Sequence, residues 1–200
     1  TSHDFTFGYS LNVGIEAASG EYAVLVSAHT LPADGEWLGR LVHPLQEDTT
    51  AMSYGRQLGW TTSKYSEILD LSRTFGTKPR LQQPPDFFAH NANSAIRRSL
   101  WSEHRFDEAL SGLEDIEWAK HWMERGYQVA YEPMAALHHI HEENWHQLKN
   151  RYYREALAAR GIGIKRRRDA ILEVAKEAAY TVWDLGRAAA PAFKGSKPGK

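Results

Sequence analysis

The order of apolar and polar positions predicts strands that alternate with helices over most of the chain. Residues 21–27 (EYAVLVS) form a continuous valine-rich apolar run, which is typical of a strand covered on both faces. Residues 51–57 predict another strand, residues 127–131 an alternating one, and residues 135–141 a further short extended run. With helices between them, these runs predict an α/β fold around a parallel or mixed sheet.

Helical spacing of apolar residues marks the segments between these strands. A short helix ends at Gly20, before the first strand, and Gly126 stops a later helix. The polar segment 61–85, which ends in prolines, predicts an excursion or mobile loop. Helices are predicted over residues 37–45, 96–103, 112–125 and 145–159.

The last forty residues differ in character from the rest and predict a separate tail. A basic cluster at residues 164–168 (IKRRR) precedes apolar positions at helical spacing, so we expect a main domain over residues 1–160 and an amphipathic helical tail over 161–187. Residues 188–200, rich in Ala, Gly, Pro and Lys, are expected to be disordered. The tail either packs on the domain, which we favour, or lies on an anionic membrane surface.

Composition narrows the classes of function. The formal net charge of −1 over 200 residues gives no general attraction to nucleic acid, and the absence of cysteine excludes disulfides and thiolate metal sites. No apolar run could span a bilayer, and the first residues lack the layout of a signal peptide. We therefore expect a cytoplasmic protein, peripheral at the inner face of the plasma membrane if the tail binds lipid. The chain begins with Thr1 instead of Met, which indicates a trimmed or incomplete product.

Histidines follow two of the predicted strands. His29 ends the tripeptide Ser27-Ala28-His29 at the carboxyl end of the first strand, where open α/β sheets place ligand sites. His139 and His141 are two apart in an extended segment and so face the same side, where neutral imidazoles can bind a transition metal. The alternatives are a solvent-facing cap at His29 and a surface cluster without function. No His-Glu-x-x-His signature supports a zinc protease.

Two polar groups accompany predicted helix starts. Glu114 and Asp115 either serve as acidic residues that the helix dipole favours, or supply a general base for a sugar hydroxyl. Asn91 and Asn93 can cap the helix that follows or bind sugar hydroxyls, and an arginine of the following Arg97-Arg98 pair can neutralise phosphate.

Taken in order, short motifs between residues 5 and 160 resemble family 2 glycosyltransferases, in particular the rhamnosyltransferase-like branch. Each motif is weak, but their order and spacing together are specific. The motifs are FGYSLN (7–12), LVSAHTLP (25–32), YGRQ (54–57), FFAHNANSAIRRSLW (87–101), LEDIEWA (113–119), GYQVAYEP (126–133), HHIH (138–141) and RYYREALA (151–158).

The resemblance implies a GT-A fold, a Rossmann-like mixed sheet flanked by helices, and a single displacement with inversion. Asp115 matches the catalytic base of the family's Glu-Asp motif, in which Glu114 is the partner. His29 stands where the family usually carries Asp-x-Asp, so a divalent metal would be held by His29, His141 and His139. Imidazoles favour Mn²⁺ over Mg²⁺. The alternative is that no metal takes this role and that His and Arg side chains neutralise the diphosphate charge. The predicted substrate-binding residues are Asn12, Arg56, Asn91, Asn93, Arg97 and Arg98.

The same resemblance implies a nucleotide-sugar donor, dTDP-rhamnose by its branch, and a glycan or lipid-linked acceptor. Family members normally begin with two strands that bind the base and ribose, and nothing before Phe5 supplies them, so the chain resembles an N-terminally incomplete domain. Two alternatives stay open: a non-catalytic remnant that binds glycan or a partner, and a metal hydrolase that activates water at the histidines.

Overall fold

The computed structural model describes residues 5–140 and 144–164 and, in the tail, residues 176, 178–183 and 185–186. Contacts divide the chain into two units, residues 1–158 and residues 159–200. The first unit carries the sheet and the candidate site. The described tail positions from 176 onward are helical, and none of the helices in the described part of the chain has the length and apolar character needed to cross a bilayer. His141 and residues 188–200 lie outside the described residues.

Strands and helices alternate along the first unit. The strands are β1 (Tyr22–Val26), β2 (Thr30–Pro32), β3 (Thr50–Leu58), β4 (Arg80–Gln82), β5 (Asn93–Arg97) and β6 (Gln128–His139). The α-helices are α1 (Phe7–Ala17), α2 (Trp37–Val42), α3 (Tyr65–Thr74), α4 (Arg98–Glu103), α5 (Glu114–Met123) and α6 (Trp145–Gly161), and one 3₁₀ turn spans His43–Gln46.

The six strands form one mixed sheet. Its order is β1-β5-β3-β6-β2, and β4 also pairs with β6. Only the central β3–β6 pair is parallel; the other pairs are antiparallel. The carboxyl ends of β3 and β6 therefore lie side by side, and the start of the antiparallel β5 lies at the same end of the sheet.

The sheet is covered on both faces, as the apolar runs predict. Ala95 and Ile96, neighbours on β5, belong to two different apolar clusters because successive strand residues point to opposite faces. The larger cluster packs Trp118 of α5 against the sheet, and the smaller one lies under Leu41 of α2. The predicted α/β class is correct.

Three predicted boundaries are wrong. Segment 61–85 holds α3 and β4, so it is not a structureless loop. Residues 93–97 form a strand because β1 and β3 pair with them on either side, and the helix begins only at Arg98. The two short runs after residue 126 form one strand, β6, whose register with β3 shifts beside Pro133. A bulge accommodates proline, which lacks a backbone N–H.

Candidate active site

Two histidines meet at the carboxyl end of the sheet. His29 follows β1 and His139 ends β6, and the antiparallel pairing of Thr30 with His139 brings their backbones together. Their Nε2 atoms are 2.9 Å apart, and the rings stack with centroids 4.8 Å apart and 21° between planes. The His29 carbonyl also accepts the N–H of Ile140 at 3.1 Å. Two of the three histidines predicted to act together are thus adjacent.

Gln57 fixes the orientation of His139. The Gln57 Oε1 atom lies 2.6 Å from Nδ1 of His139, and both side chains are almost fully buried. Because an amide oxygen accepts hydrogen bonds, this contact favours the tautomer with the proton on Nδ1, which leaves the lone pair on Nε2. The parallel pairing of β3 with β6 places Gln57 there, since Leu58 is in register with His138.

Asp115 reaches this end of the sheet from the start of α5. Its Oδ2 accepts the Asn91 backbone N–H at 3.0 Å, and its Oδ1 accepts the N–H of Ile116 at 2.8 Å. The neighbouring His90 ring meets the His139 ring edge to face, with centroids 6.3 Å apart. A continuous series of contacts therefore links the carboxylate to the paired imidazoles.

The turn into α5 is unusual. Leu113, the residue before the helix, has a φ of 62° and no side-chain hydrogen bond caps the first turn. A bulky residue in the left-handed region costs roughly 1–2 kcal/mol, and such strain concentrates at functional sites. Here it sets the direction in which the Glu114 and Asp115 side chains enter the protein.

Both carboxyl groups hold their protons more tightly than usual. Burial, and then the charge of Glu114, raises the pKa of Asp115 to about 7, although the N–H groups of Asn91 and Ile116 oppose the shift. Burial likewise raises the pKa of Glu114, with Glu155 of α6 adding a smaller contribution. A pKa close to neutral suits a general base, because the group can both be ionised and accept a proton strongly.

Two further predicted residues lie close to this arrangement. Asn91 contributes its backbone N–H to Asp115; its Nδ2 makes no well-aligned hydrogen bond within the described residues but lies near enough to Glu114 to lower that carboxyl's pKa. Arg56 precedes Gln57 on β3, and its buried Nε has no hydrogen-bond partner in the described part of the chain. Both remain candidates for ligand contacts.

The substrate-binding predictions for Asn12 and Asn93 need correction. Asn12 is buried and connects α1 to residues 101–108, donating to the carbonyl of Phe106 and accepting from the indole of Trp101. Asn93 is fully buried and donates to the carbonyls of Ala135 and residue 56. These side-chain amides form hydrogen bonds with backbone groups of the protein itself, so their role is structural.

Arg97 and Arg98 lie away from the site. Because β5 is antiparallel to β3, Arg97 lies at the far end of the strand, and its guanidinium donates to the carbonyls of Thr50 and Leu45. Arg98 reaches the carbonyl of Ile15 at 3.5 Å and lines a surface pocket with Ser19 and neighbouring residues. The sequence suggested phosphate ligands because it does not reveal strand direction.

Gln57 and His90 lie in the site but were not predicted from the sequence. Both stand inside motifs that carry the resemblance, YGRQ and FFAHNAN, but no local pattern marks either as functional. Their importance comes from strand pairing, which puts Gln57 beside His139, and from the loop before β5, which puts His90 beside the same ring. Knowledge of the sheet order would have been needed to find them.

Comparison with known proteins identifies the family of the chain. Residues 1–105 match the family described as glycosyl transferase family 2. The chain belongs to this family. Its relatives include the O-antigen chain rhamnosyltransferase RfbN of Salmonella typhimurium (strain LT2), which is 24% identical over 162 residues, covering 76% of this chain and 52% of the relative. The family 2 chain thus spans about half the length of this curated relative.

Solved glycosyltransferases share the fold. The mannosyltransferase PcManGT from Pyrobaculum calidifontis, in complex with GDP-Man and Mn²⁺, has a TM-score of 0.55 at 16% identity, over 78% of this chain and 42% of that one. GalNAc-T7 with UDP, GalNAc and Mn²⁺ has a TM-score of 0.53 at 17% identity, over 70% and 31%. TarS of S. aureus with UDP-GlcNAc has 0.52 at 15%, over 74% and 44%. The predicted GT-A type of fold is confirmed.

Proposed function

We propose that this family 2 chain is the acceptor-side catalytic part of an inverting glycosyltransferase, which moves a sugar from a nucleotide-sugar donor to a hydroxyl of a glycan or lipid-linked acceptor. The observation that carries the proposal is the position of Asp115: a buried carboxyl with a raised pKa, held by the Asn91 N–H beside the loop that contacts the histidine pair. Family membership supports the reaction class.

In this mechanism Asp115 removes the proton from the acceptor hydroxyl as its oxygen attacks the anomeric carbon. The new carbon–oxygen bond forms on the face opposite the departing nucleoside diphosphate, so the configuration inverts. The Asn91 and Ile116 N–H groups hold the carboxylate in one orientation, and the negative charge of Glu114 keeps its basicity high.

The histidine pair fits a divalent metal ion. The Nε2 atoms of His29 and His139 are 2.9 Å apart, so both imidazoles would be close enough to bind one ion. Gln57 would orient His139, because its Oε1 lies 2.6 Å from the other ring nitrogen. The ion would neutralise charge on the donor diphosphate, with Mn²⁺ suiting imidazoles better than Mg²⁺. His141 remains predicted as a further ligand.

The donor and the location are finer proposals. The rhamnosyltransferase relative favours a dTDP-rhamnose donor, while the solved neighbours hold GDP-Man or UDP-GlcNAc.

The tail's basic cluster and the exposed side chains of Val182, Trp183 and Leu185 favour peripheral contact with the inner face of the plasma membrane, near a lipid-linked acceptor. Flotation with anionic liposomes tests this contact, and no flotation would refute it.

Turnover by two matched variants tests the proposed base. The chain is incubated with each nucleotide sugar, Mn²⁺ and an acceptor extract, and release of nucleoside diphosphate is followed. Asp115→Asn should lower the rate by about 10²–10⁴-fold, because general-base catalysis contributes that much. Asp70→Asn, a change on an exposed residue of α3, should leave it unaltered. Equal rates in both variants would show that Asp115 is not the base, and a retained anomeric configuration would refute inversion.

A further inference from the structure

A second group of side chains that could bind a metal lies between the end of α4 and one face of α5, apart from the histidine pair. His104, the residue that follows α4, places its Nε2 3.2 Å from each carboxylate oxygen of Glu117. Its ring stacks on that of His121 with centroids 3.5 Å apart and 4° between planes. One ligand atom from each of the three residues lies within 4.8 Å of the other two.

We propose that His104, Glu117 and His121 form a binding site for a divalent transition-metal ion, with Zn²⁺ the best match. Two imidazoles and one carboxylate are a donor set that zinc accepts in sites with an open fourth position. The same set disfavours Ca²⁺ and Mg²⁺, which prefer shells of oxygen ligands. The side chains of His104 and Glu117 are about a quarter and a fifth exposed, so an ion and its water can approach.

The backbone holds all three residues in place. Glu117 and His121 are four residues apart on α5, so their side chains lie on one face of the helix. His104 is fixed at both backbone groups: its N–H donates to the Leu100 carbonyl at 3.0 Å, and its carbonyl accepts the indole N–H of Trp118 at 2.7 Å. Trp118 is fully buried, so the third ligand is anchored to the core.

Neighbouring charges leave the carboxylate available. Lys120 pairs with Glu124 at 2.9 Å, and Arg125 donates to the His121 carbonyl at 2.8 Å, so these cations have partners other than Glu117. The Glu117 carboxylate faces His104, where the ion would lie.

Binding requires a change in ring orientation but not in the backbone. The two rings lie in nearly parallel planes with centroids 3.5 Å apart, so an ion between them would lie outside the plane of at least one ring. At least one ring must therefore rotate about its Cβ–Cγ bond, a torsion that is soft in histidine. The bound ion would link the residue that follows α4 to α5, the helix that begins with Glu114 and Asp115.

Zinc titration of the metal-free chain by calorimetry tests the site, with Co²⁺ absorption as a second measurement of ligand geometry. His121→Gln and Glu117→Gln should each lose one equivalent of Zn²⁺ or bind it at least tenfold more weakly. His43→Gln, a change on an exposed histidine outside the group, should retain it. His29→Gln should also retain it, which separates this site from the histidine pair.

Circular dichroism confirms that each variant is folded. If His121→Gln and Glu117→Gln bind Zn²⁺ with the stoichiometry and affinity of His43→Gln, the site is refuted and the three side chains form only an ion pair with a stacked ring. Absence of a tetrahedral Co²⁺ spectrum that depends on His121 would overturn the proposal equally. Neither result depends on whether the chain transfers sugar.

Discussion

At Asp115 the condition for stability opposes the condition for the proposed role of general base. Burial and the charge of Glu114 raise the pKa of this carboxyl to about 7, above its ordinary value of about 3.9 in an unfolded chain. The native state therefore binds a proton more tightly than the unfolded state does. The protein retains a basic carboxylate by giving up part of its stability whenever that group is ionised.

Replacing this carboxyl should change how stability depends on pH. Between about pH 4 and pH 7 the native protein binds more protons than the unfolded chain, so its free energy of unfolding falls as the pH rises. Asp115→Asn removes this titration and should reduce the fall between pH 5 and pH 8 by about 1–3 kcal/mol. Urea unfolding at both pH values measures the difference.

The comparison between pH values is needed because the amide also loses one accepted hydrogen bond, to the N–H of Asn91 or of Ile116. These N–H groups bond more strongly to the ionised carboxyl, but that difference is already part of the pKa of Asp115, so the comparison of the two pH values still reports its titration. Asp70→Asn, on exposed α3, serves as the control. Equal slopes for Asp115→Asn and the wild-type chain would mean that the carboxyl titrates normally.

Gln57 offers a second test at the scale of single residues. Gln57→Leu removes the acceptor at 2.6 Å from His139 Nδ1 and leaves the imidazole free to rotate or change tautomer. Loss of a residue that hydrogen-bonds a metal-binding histidine typically lowers metal affinity or activity by about 10–100-fold. We expect that loss in Mn²⁺ affinity, measured by calorimetry, whereas exposed Gln83→Leu should bind normally. Unchanged Mn²⁺ affinity in Gln57→Leu would remove Gln57 from the site.

The sequence could predict which residue types in the site are capable of chemistry. It could not predict where the fold places each of them. His29, His139 and Asp115 stood out because each follows or begins a regular element and carries a group capable of chemistry. Asn12 and Arg97 have the same kinds of polar groups, but tertiary contacts use them to satisfy backbone atoms. Nothing in the local sequence distinguishes these two uses of a polar side chain.

At the scale of elements, the close approach of β3 and β6 aligns the site. Gly55 lies between Tyr54 and Arg56 on β3, and a Cβ atom there would be 2.0 Å from the Ala135 carbonyl and 2.3 Å from Asn93 Nδ2. The first neighbour is backbone and cannot move alone. Glycine is therefore required where the register of β3 and β6 shifts, two residues before Gln57, which contacts His139.

Alanine substitutions at two glycines should have opposite effects on stability. Gly55→Ala should lower the free energy of unfolding by more than about 2 kcal/mol, since overpacking must separate the central strands. Gly39→Ala, in α2 where an added Cβ meets nothing within 4 Å, should raise it by about 0.5–1 kcal/mol. Thermal and urea unfolding report both. A neutral Gly55→Ala would mean that the two strands lie farther apart than described.

Element types were easier to predict than element limits. The continuous apolar run of β1 and residues 51–57 of β3 were predicted correctly as strands. The sequence predicts a helix from Ile96 onward and no strand at residues 93–97, because the pairing of β5 with β1 and β3 is non-local and leaves no period in five residues. Likewise Pro133 suggested a strand end, whereas a bulge lets β6 continue past it.

At the scale of the whole molecule, the site depends on the order of strands in the sheet. Residues 29, 57, 90 and 139 are far apart in sequence and meet because β1, β3 and β6 finish at one end of the sheet, where β5 begins. The family resemblance predicted a shared site for His29, His139 and Asp115, but neither it nor hydrophobic periodicity predicted the strand order that brings residues 57 and 90 there. The same order leaves β1 at an edge of the sheet.

This edge predicts how the chain behaves at high concentration. Within the described residues no strand pairs with the outer side of β1, and Val26 at its end is about half exposed. Unpaired edges template association between chains, and a charged residue on the edge prevents it. Val26→Lys should therefore lower the concentration-dependent light scattering of the chain. Val13→Lys, which adds the same charge at an equally exposed position on α1, should have a smaller effect, because α1 presents no unpaired strand groups. If both changes reduce scattering equally, net charge and not the β1 edge controls the association.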